Sequence, residues 1–404
     1  PASVVSTETQ NNELLSALNI FVQSDIEIYD AGYFINRGYF AVILKRLANS
    51  NKTYTDTELK DILKFTDVNP SGEMAEGIAF CVENGYMNGT GEYEFEPEAR
   101  ITLEQALKPL VIMLGRKGIA EEKGGYPMGY IKAADSIDLT DGISESMGEA
   151  LNRNVGGQLI YNALMSEYME LYMIENSDEG VYVHEKGADV TYMREVFGIE
   201  LISGVVEGNE VTMLDVNGKT ADEGSIIIDG ITVKGENLNG FLGYFVDCYA
   251  RVNERNNTYE NVYTAVNEKE NKILTVKAED IDSFKDGALT YYDENGRKKE
   301  VKLAKNADVI FNGVAMPDYT DEHFMPNSGY VTLVNNKSSW NVALITYYNT
   351  AVVGYVDTKN EKVHLLDSAG SIEYGDSENN ISIDLDGIGI SAFELTEWDV
   401  LSIA

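Results

Sequence analysis

Three helix–loop–helix segments follow one another in the N-terminal part of the chain, and this repetition limits the available folds more than any other feature. The leading helices are predicted at residues 14–20, 74–86 and 129–137, and the trailing helices at 35–47, 100–114 and 151–164. Apolar residues recur at helical spacing in each of them, so each helix carries one apolar stripe. Because a single helix pair cannot bury both of its stripes, we expect the three pairs to close one common core over residues 13–166.

Each trailing helix begins behind a residue that favours a helix N-terminus. These residues are Asn36, Thr102 and Asn152. Their short side chains accept hydrogen bonds from the first free backbone N–H groups of a helix. The sequence therefore predicts that the three trailing helices begin at equivalent points of the repeats.

The middle repeat has the most distinctive residues. It contains Phe-Thr-Asp-Val at 65–68, Glu-Asn-Gly-Tyr-Met-Asn-Gly at 83–89 and Phe-Glu-Pro at 95–97, and Ile101-Thr102 opens its trailing helix. This series resembles S-layer homology (SLH) repeats. The resemblance implies three repeats around a pseudo-threefold bundle, which attaches exported bacterial proteins to secondary cell-wall polysaccharide.

The same resemblance implies which side chains face the glycan. In such repeats an Arg near the helix start faces the binding groove, and Arg37 and Arg153 occupy that position here, whereas the middle repeat has Leu103. Arg100 lies three residues earlier and is the candidate substitute. Guanidinium groups suit carboxylate-bearing sugars because their planar fork matches a carboxylate. Two departures are that Met74 stands near the position of a usual Trp and that the first repeat lacks Phe-x-Asp-Val.

From Ile199 onward, period-two alternation and turn residues indicate strands. The first set is predicted at 199–206, 210–216, 224–228, 231–233, 243–253, 260–267, 272–277, 287–293, 299–303 and 307–311. The second set is predicted at 329–334, 340–348, 350–357, 362–366, 382–385 and 398–403. The chain is therefore predicted to be an α+β multidomain protein, with a helical bundle followed by all-β barrel or sandwich modules at 199–318 and 327–404.

Parts of the second set also resemble a known type of module. Residues 329–334, 347–357 and 395–404 are similar to the β modules that follow such repeats in clostridial cell-surface proteins. Residues 1–12 are predicted to be a disordered leader or an extended arm that adds a strand to a neighbouring subunit. Residues 167–198 form a predicted connector, in which the stretch from Met165 to Met173 continues a helix and a short helix follows near 191–197.

The charge of the chain excludes several kinds of partner. With Lys+Arg 31 and Asp+Glu 67, the net charge is −36, so neither nucleic acid nor an anionic membrane surface is expected to bind. No stretch reaches the ~20 apolar residues of a membrane span, so no membrane insertion is expected. Cys81 and Cys248 are predicted to be buried free thiols rather than a disulfide. These features agree with an exported protein at the bacterial cell surface.

No catalytic or metal-binding motif stands out in the chain. His184, His323 and His364 lie far apart without paired ligand spacing, and nucleophile-elbow, phosphate-loop and zinc-protease motifs are absent. We therefore expect no enzymatic activity and no cofactor. The acidic loops 318–322 and 373–378 offer oxygen ligands to Ca²⁺, which is the one ion kept as an alternative.

Two functions remain open at this point. The first is a structural assembly subunit of the S-layer or filament type, a homo-oligomer or polymer that works through subunit contacts. The second is an anchor that binds wall polysaccharide and displays a β-domain. Leu103 in place of Arg, the degenerate first repeat and the lack of a catalytic module favour the first; Arg37 and Arg153 favour the second. The sequence ranks assembly ahead of anchoring.

Overall fold

The chain is a mixed α+β protein with a β-rich C-terminal region. The computed structural model describes residues 7–22, 33–174, 181–215, 217–360, 362–366, 371–373 and 395–403. By its residue contacts the chain divides into two units. The helical unit has the described residues of 5–202 and 248–263, and the strand-rich unit has those of 203–247 and 264–404.

The helices lie in the N-terminal half of the chain. They are α1 (Thr7–Ala17), α2 (Arg37–Leu47), α3 (Asp56–Ile62), α4 (Ala75–Glu83), α5 (Leu103–Met113), α6 (Lys117–Glu122), α7 (Met128–Asp135), α8 (Arg153–Met165) and α9 (Tyr192–Phe197). The three trailing helices α2, α5 and α8 begin directly after Asn36, Thr102 and Asn152, as the sequence predicts. The side chains of Asn36 and Asn152 accept backbone N–H groups at 2.7 and 3.0 Å, and a cap of this kind contributes about 1 kcal/mol.

Each leading helix packs on the trailing helix of a different repeat. Helix α4 packs on α2, α7 packs on α5, and α1 packs on α8. No repeat therefore closes by itself, and the apolar stripes meet in one core. Representative buried members are Leu14, Phe40, Ile78, Leu107 and Leu159.

The N-terminal segment differs from its prediction as an extended arm over residues 1–12. Helix α1 begins at Thr7, and residues 1–6 lie outside the described part of the chain. Asn11 is buried, and its amide donates to the side-chain oxygen of Gln158 on α8 at 2.9 Å. The sequence does not indicate this helix, because the buried face of α1 includes the polar residue Asn11. The hydrogen-bond partner of Asn11 is Gln158, which lies far along the chain.

The predicted continuation of a helix through Met173 was wrong. Strands β1 (Glu167–Ile174) and β2 (Val181–Thr191) form a two-stranded antiparallel sheet there. The backbone is already extended at Ser166 (φ −70°, ψ 149°), and the N–H of Met169 bonds to the carbonyl of Leu114 at 3.3 Å. Met and Tyr side chains fit a helix or a strand, so the tertiary contact with Leu114 decides which of the two forms. The short helix expected near 191–197 is α9.

The first C-terminal strands close a barrel. They are β3 (Ile199–Asn209), β4 (Ser225–Ile228), β5 (Ile231–Lys234), β6 (Phe245–Asn253) and β7 (Thr258–Val266), in the order β3-β4-β5-β7-β6. The strand predicted over 210–216 is not formed in its described residues, 210–215. The Asn209 side chain accepts the N–H groups of Val211 and Thr212 at 2.9 and 2.8 Å, which turns the chain away from the strand direction.

The largest sheet combines strands from both predicted β modules. Its strands are β8 (Lys272–Lys277), β9 (Ile281–Lys285), β10 (Ala288–Tyr292), β11 (Lys298–Phe311), β12 (Val314–Ala315), β13 (Gly329–Asn335) and β14 (Trp340–Tyr347). Their order is β8-β13-β14-β11-β10-β9, with β12 paired to β11. Since β13 pairs with β8 and β14 with β11, the sheet crosses the predicted division between 199–318 and 327–404. The two strands predicted at 299–303 and 307–311 are one strand, β11.

A small sheet ends the described chain. Its strands are β15 (Asn349–Asp357), β16 (Lys362–Leu365), β17 (Ser371–Glu373) and β18 (Val400–Ile403), in the order β17-β16-β15-β18. Its core is formed by Val353, Val363, Leu395 and Leu401. The strand predicted at 382–385 lies outside the described residues. Among the helices of the described chain, none has the length and apolarity to cross a membrane.

Candidate functional site

The trailing helices start from a closed ring of three backbone hydrogen bonds. The N–H of Ile35 donates to the carbonyl of Leu151 at 3.0 Å, and the N–H of Leu151 donates to Ile101 at 3.0 Å. The N–H of Ile101 donates back to Ile35 at 2.9 Å, which completes the ring. All three residues are at most 1% exposed. The ring therefore links the three segments that precede the trailing helices.

A second set of backbone bonds fixes the first residue of each trailing helix. The donor–acceptor pairs are Arg37 to Ala99 (2.8 Å), Leu103 to Glu149 (3.1 Å) and Arg153 to Tyr33 (2.9 Å). The three first residues thus occupy equivalent places, which is the correspondence that the sequence predicts for Arg37, Leu103 and Arg153.

The Arg37 side chain is held by the middle repeat. It is 6% exposed, its Nε donates to the carbonyl of Phe95 at 3.0 Å, and an Nη donates to the carbonyl of Asn88 at 3.1 Å. Its Cζ lies 4.9 Å from the centroid of the Phe95 ring. Burial lowers the pKa of Arg37, while the carboxylate of Glu96 acts in the opposite direction. An Arg in such surroundings stays charged, so the site has a fixed positive group.

Asp67 of the Phe-Thr-Asp-Val motif orders the segment that holds Arg37. Its carboxylate accepts the N–H of Phe95 at 3.0 Å and the N–H of Glu96 at 2.7 Å. Desolvation acts to raise the pKa of Asp67, but these backbone donors outweigh it and the pKa is lowered. The ring of Phe65, from the same motif, lies 5.4 Å from that of Phe95. The motif therefore positions the carbonyl that Arg37 binds.

Gly89 allows the loop that contains the Asn88-Gly89 turn to pack closely against Phe65 and Glu94. A Cβ atom there would lie 2.5 Å from the Phe65 ring and 2.7 Å from the carbonyl oxygen of Glu94, so no larger residue fits without movement. The loop, α2 and α5 enclose a cleft of about 220 Å³, named here the Arg37 cavity. Its lining residues are Arg37, Tyr86, Met87, Asn88, Gly89, Thr90, Gln105, Lys108 and Tyr126.

The other two predicted glycan-binding arginines have different surroundings. Arg153 is 7% exposed, and its Cζ lies 5.3 Å from the ring of the buried Phe21. Arg100 is exposed, and its Cζ lies 4.1 Å from the ring of Phe34. The structure thus places Arg37 and Arg153 at matching helix starts, whereas Arg100 is absent from the lining of the Arg37 cavity.

Three residues that line the Arg37 cavity were not predicted from the sequence. Gln105 and Lys108 come from α5, and Tyr126 comes from the segment between α6 and α7. In the fold the Nζ of Lys108 lies 5.4 Å from the centroid of the Tyr126 ring. No local motif marks these residues, because only the packing of α7 on α5 brings them together.

Two of the histidines contact neighbouring side chains or backbone groups, and both cysteines are buried. The Nδ1 of His323 accepts the N–H of Thr320 at 3.0 Å, and the His364 ring stacks on that of Tyr355 at 4.2 Å. His184 lies in β2, within a stretch whose side chains are outside the description. Cys81 and Cys248 are buried free thiols, as predicted, and burial raises the pKa of Cys81.

In the described ranges of the chain, no group of three or more His, Cys, Asp or Glu side chains is arranged to hold a metal ion. Of the two acidic loops that the sequence offers to Ca²⁺, residues 318–322 are described, while residues 374–378 of the other are not. Calcium binding stays a prediction.

Comparison with known proteins covers part of the chain that lines this cavity. A family model for the S-layer homology domain matches residues 64–107, which include Asp67, Gly89 and Phe95. A protein named "Cell surface protein" from Thermoanaerobacter kivui is 25% identical over 343 residues, covering 82% of this chain and 38% of the relative. The chain thus spans well under half of that relative's length. The SLH resemblance is confirmed, and it indicates a location at the bacterial cell surface.

Proposed function

We propose that this chain, which carries an S-layer homology domain, is an anchor that binds secondary cell-wall polysaccharide and holds a β-rich region at the cell surface. In this proposal residues 13–166 are three SLH repeats that form one bundle around the backbone ring. The Arg37 cavity is the single observation that carries the proposal. Anchoring therefore ranks ahead of assembly, which reverses the order favoured by the sequence.

The way in which Arg37 is held favours ligand binding. A guanidinium has five N–H donors, and the carbonyls of Phe95 and Asn88 engage two of its N–H groups. The side chain is thereby fixed before a ligand arrives, so less conformational entropy is lost on binding. The remaining donors suit a carboxylate, which a guanidinium binds with two parallel hydrogen bonds. An acidic sugar at the wall surface has this chemistry.

Co-sedimentation with purified cell-wall sacculi tests the anchor. The parent chain is expected to pellet with sacculi, and the double variant Arg37→Ala plus Arg153→Ala is expected to stay in solution. Arg100→Ala tests whether that residue substitutes for the arginine missing at Leu103. Lys60→Ala is the matched control, because Lys60 is an exposed cation on α3.

Circular dichroism must accompany this experiment, since Arg37 and Arg153 are both buried. A double variant that keeps the helical signal of the parent but no longer pellets supports the anchor. A parent chain that does not pellet, or a folded double variant that pellets as the parent does, contradicts it.

A second candidate, the assembly subunit of S-layer or filament type, is favoured by the small C-terminal sheet. Tyr355, Leu366, Trp398 and Val400 are large apolar side chains that are exposed there. We name these four residues, which lie in or next to the strands of this one sheet, the Trp398 patch. Exposed apolar patches commonly mark protein–protein contacts. In this candidate the patch joins copies of the chain into a homo-oligomer or polymer.

Light scattering over a range of protein concentrations, with and without Ca²⁺, tests the assembly candidate. Growth of the scattering mass with concentration is the expected result, and stronger growth with Ca²⁺ would indicate that the ion bridges acidic surfaces. A monomer at every concentration in both conditions contradicts it.

A further inference from the structure

We infer that Lys108 and Tyr126 complete the Arg37 cavity as a site for one negatively charged sugar ring, with Lys108 as the second cation and Tyr126 as the stacking surface. This inference rests on the proposed anchor function and assigns roles to two residues outside the SLH helix-start position. Charge, the exposed aromatic ring and the size of the cleft each support it.

The charge of the cavity is unusual for this protein. The chain has 67 acidic against 31 basic residues, yet the cleft is lined by Arg37 and Lys108 and by no Asp or Glu. Throughout the described residues, no carboxylate oxygen lies within 4.0 Å of the charged nitrogens of either side chain. Two cations without a close ion pair favour an anion, and the acidic surface elsewhere repels one.

Tyr126 provides a flat surface beside these cations. Its side chain is 49% exposed, and its ring centroid lies 5.4 Å from the Nζ of Lys108. The ring also makes an edge contact with Tyr130 at 6.3 Å, and the Tyr130 hydroxyl donates to Glu121 at 2.7 Å. The exposed ring is therefore supported from one side. An aromatic face that is held in this way can stack on the apolar face of a sugar while Lys108 contacts its acidic substituent.

The size of the cleft limits what it holds. At about 220 Å³ it is smaller than the roughly 300–1,000 Å³ of pockets for drug-sized ligands. A single ring with its acidic group fits this scale better than an oligosaccharide segment. The acidic group is a carboxylate or a phosphate, since both bind Arg and Lys.

Binding of soluble polysaccharide released from purified bacterial cell walls tests the inference by titration calorimetry. Lys108→Ala is expected to weaken binding about tenfold and to reduce its dependence on salt, because one charge-assisted contact is lost. Tyr126→Ala is expected to weaken binding about threefold to tenfold, whereas Tyr126→Phe keeps the ring and binds as the parent does. Lys60→Ala is the matched control for a change of one charge.

Two treatments of the polysaccharide distinguish the acidic groups. Carbodiimide amidation removes carboxylate charge, and hydrofluoric acid removes phosphate; one of the two treated samples is expected to lose binding to the parent chain. Binding that survives both treatments overturns the inference. So does parental affinity in both Lys108→Ala and Tyr126→Ala. If the parent chain itself binds no polysaccharide, the proposed anchor function fails together with the inference.

Discussion

The backbone N–H of Arg153 donates to the carbonyl oxygen of Tyr33 at 2.9 Å and so joins the start of the last trailing helix to the segment before the first. Leu103 makes the equivalent bond to Glu149 at 3.1 Å. Since these contacts use only the backbone, the side chain at this position can be Arg or Leu without breaking these hydrogen bonds. These backbone contacts do not depend on an arginine side chain, which explains how the middle position can have Leu103.

Replacing Asp67 with Asn is expected to destabilise the helical unit by about 1–2 kcal/mol, because charged acceptors form stronger hydrogen bonds than neutral ones and two backbone N–H groups depend on this carboxylate. Urea unfolding followed by far-ultraviolet circular dichroism measures the change. Asp61→Asn is the matched control, since Asp61 is exposed on α3. Equal losses in both variants would show that the Asp67 carboxylate has no special role.

The lowered pKa of Asp67 also predicts a pH dependence. A carboxyl group with a lower pKa in the folded chain stabilises the fold above its unfolded pKa of about 3.9, and this contribution is lost as the pH falls through the folded pKa. The stability difference between the parent and Asp67→Asn is therefore expected to shrink as the pH is lowered from 6 to about 3. Unfolding curves across this range measure it. A constant difference would contradict the assignment.

Gly77→Ala is expected to destabilise the bundle by about 1–3 kcal/mol, although Ala is the better helix former. A Cβ atom at Gly77 would lie 2.7 Å from the backbone N and Cα of Val42, so α4 would have to move away from α2. Thermal unfolding measures the loss. Gly91→Ala is the control, because the nearest atom to its new Cβ is 3.9 Å away. A parental melting temperature in Gly77→Ala would exclude close packing at this point.

Local signals in the sequence predicted the starts of the trailing helices. Asn36 and Asn152 lie next to the N–H groups that they cap, so a short window of sequence contains the whole interaction. The turn at Asp229 and Gly230 was predicted for the same reason, and both residues have positive φ values (43° and 80°) that suit a tight hairpin.

The remaining features depend on contacts between distant residues. Ser166 and Met169 leave the helical path where the chain meets the carbonyl of Leu114, and no neighbouring residue signals that contact. Lys108 and Tyr126 likewise share a cavity only after α7 has packed on α5. Periodicity indicates which face of an element is buried, but it does not identify the partner that buries it.

Replacing Trp398 with Asn is expected to reduce self-association without unfolding the small C-terminal sheet. Trp398 is 69% exposed and has a φ of 77°, a left-handed conformation that Asn adopts more readily than Trp. Light scattering at increasing concentration measures the association, and far-ultraviolet circular dichroism shows whether the strand content of the parent is kept. Tyr93→Asn, which removes an exposed aromatic residue from the helical unit, is the matched control. If Trp398→Asn associates as strongly as the parent, the Trp398 patch does not join the subunits.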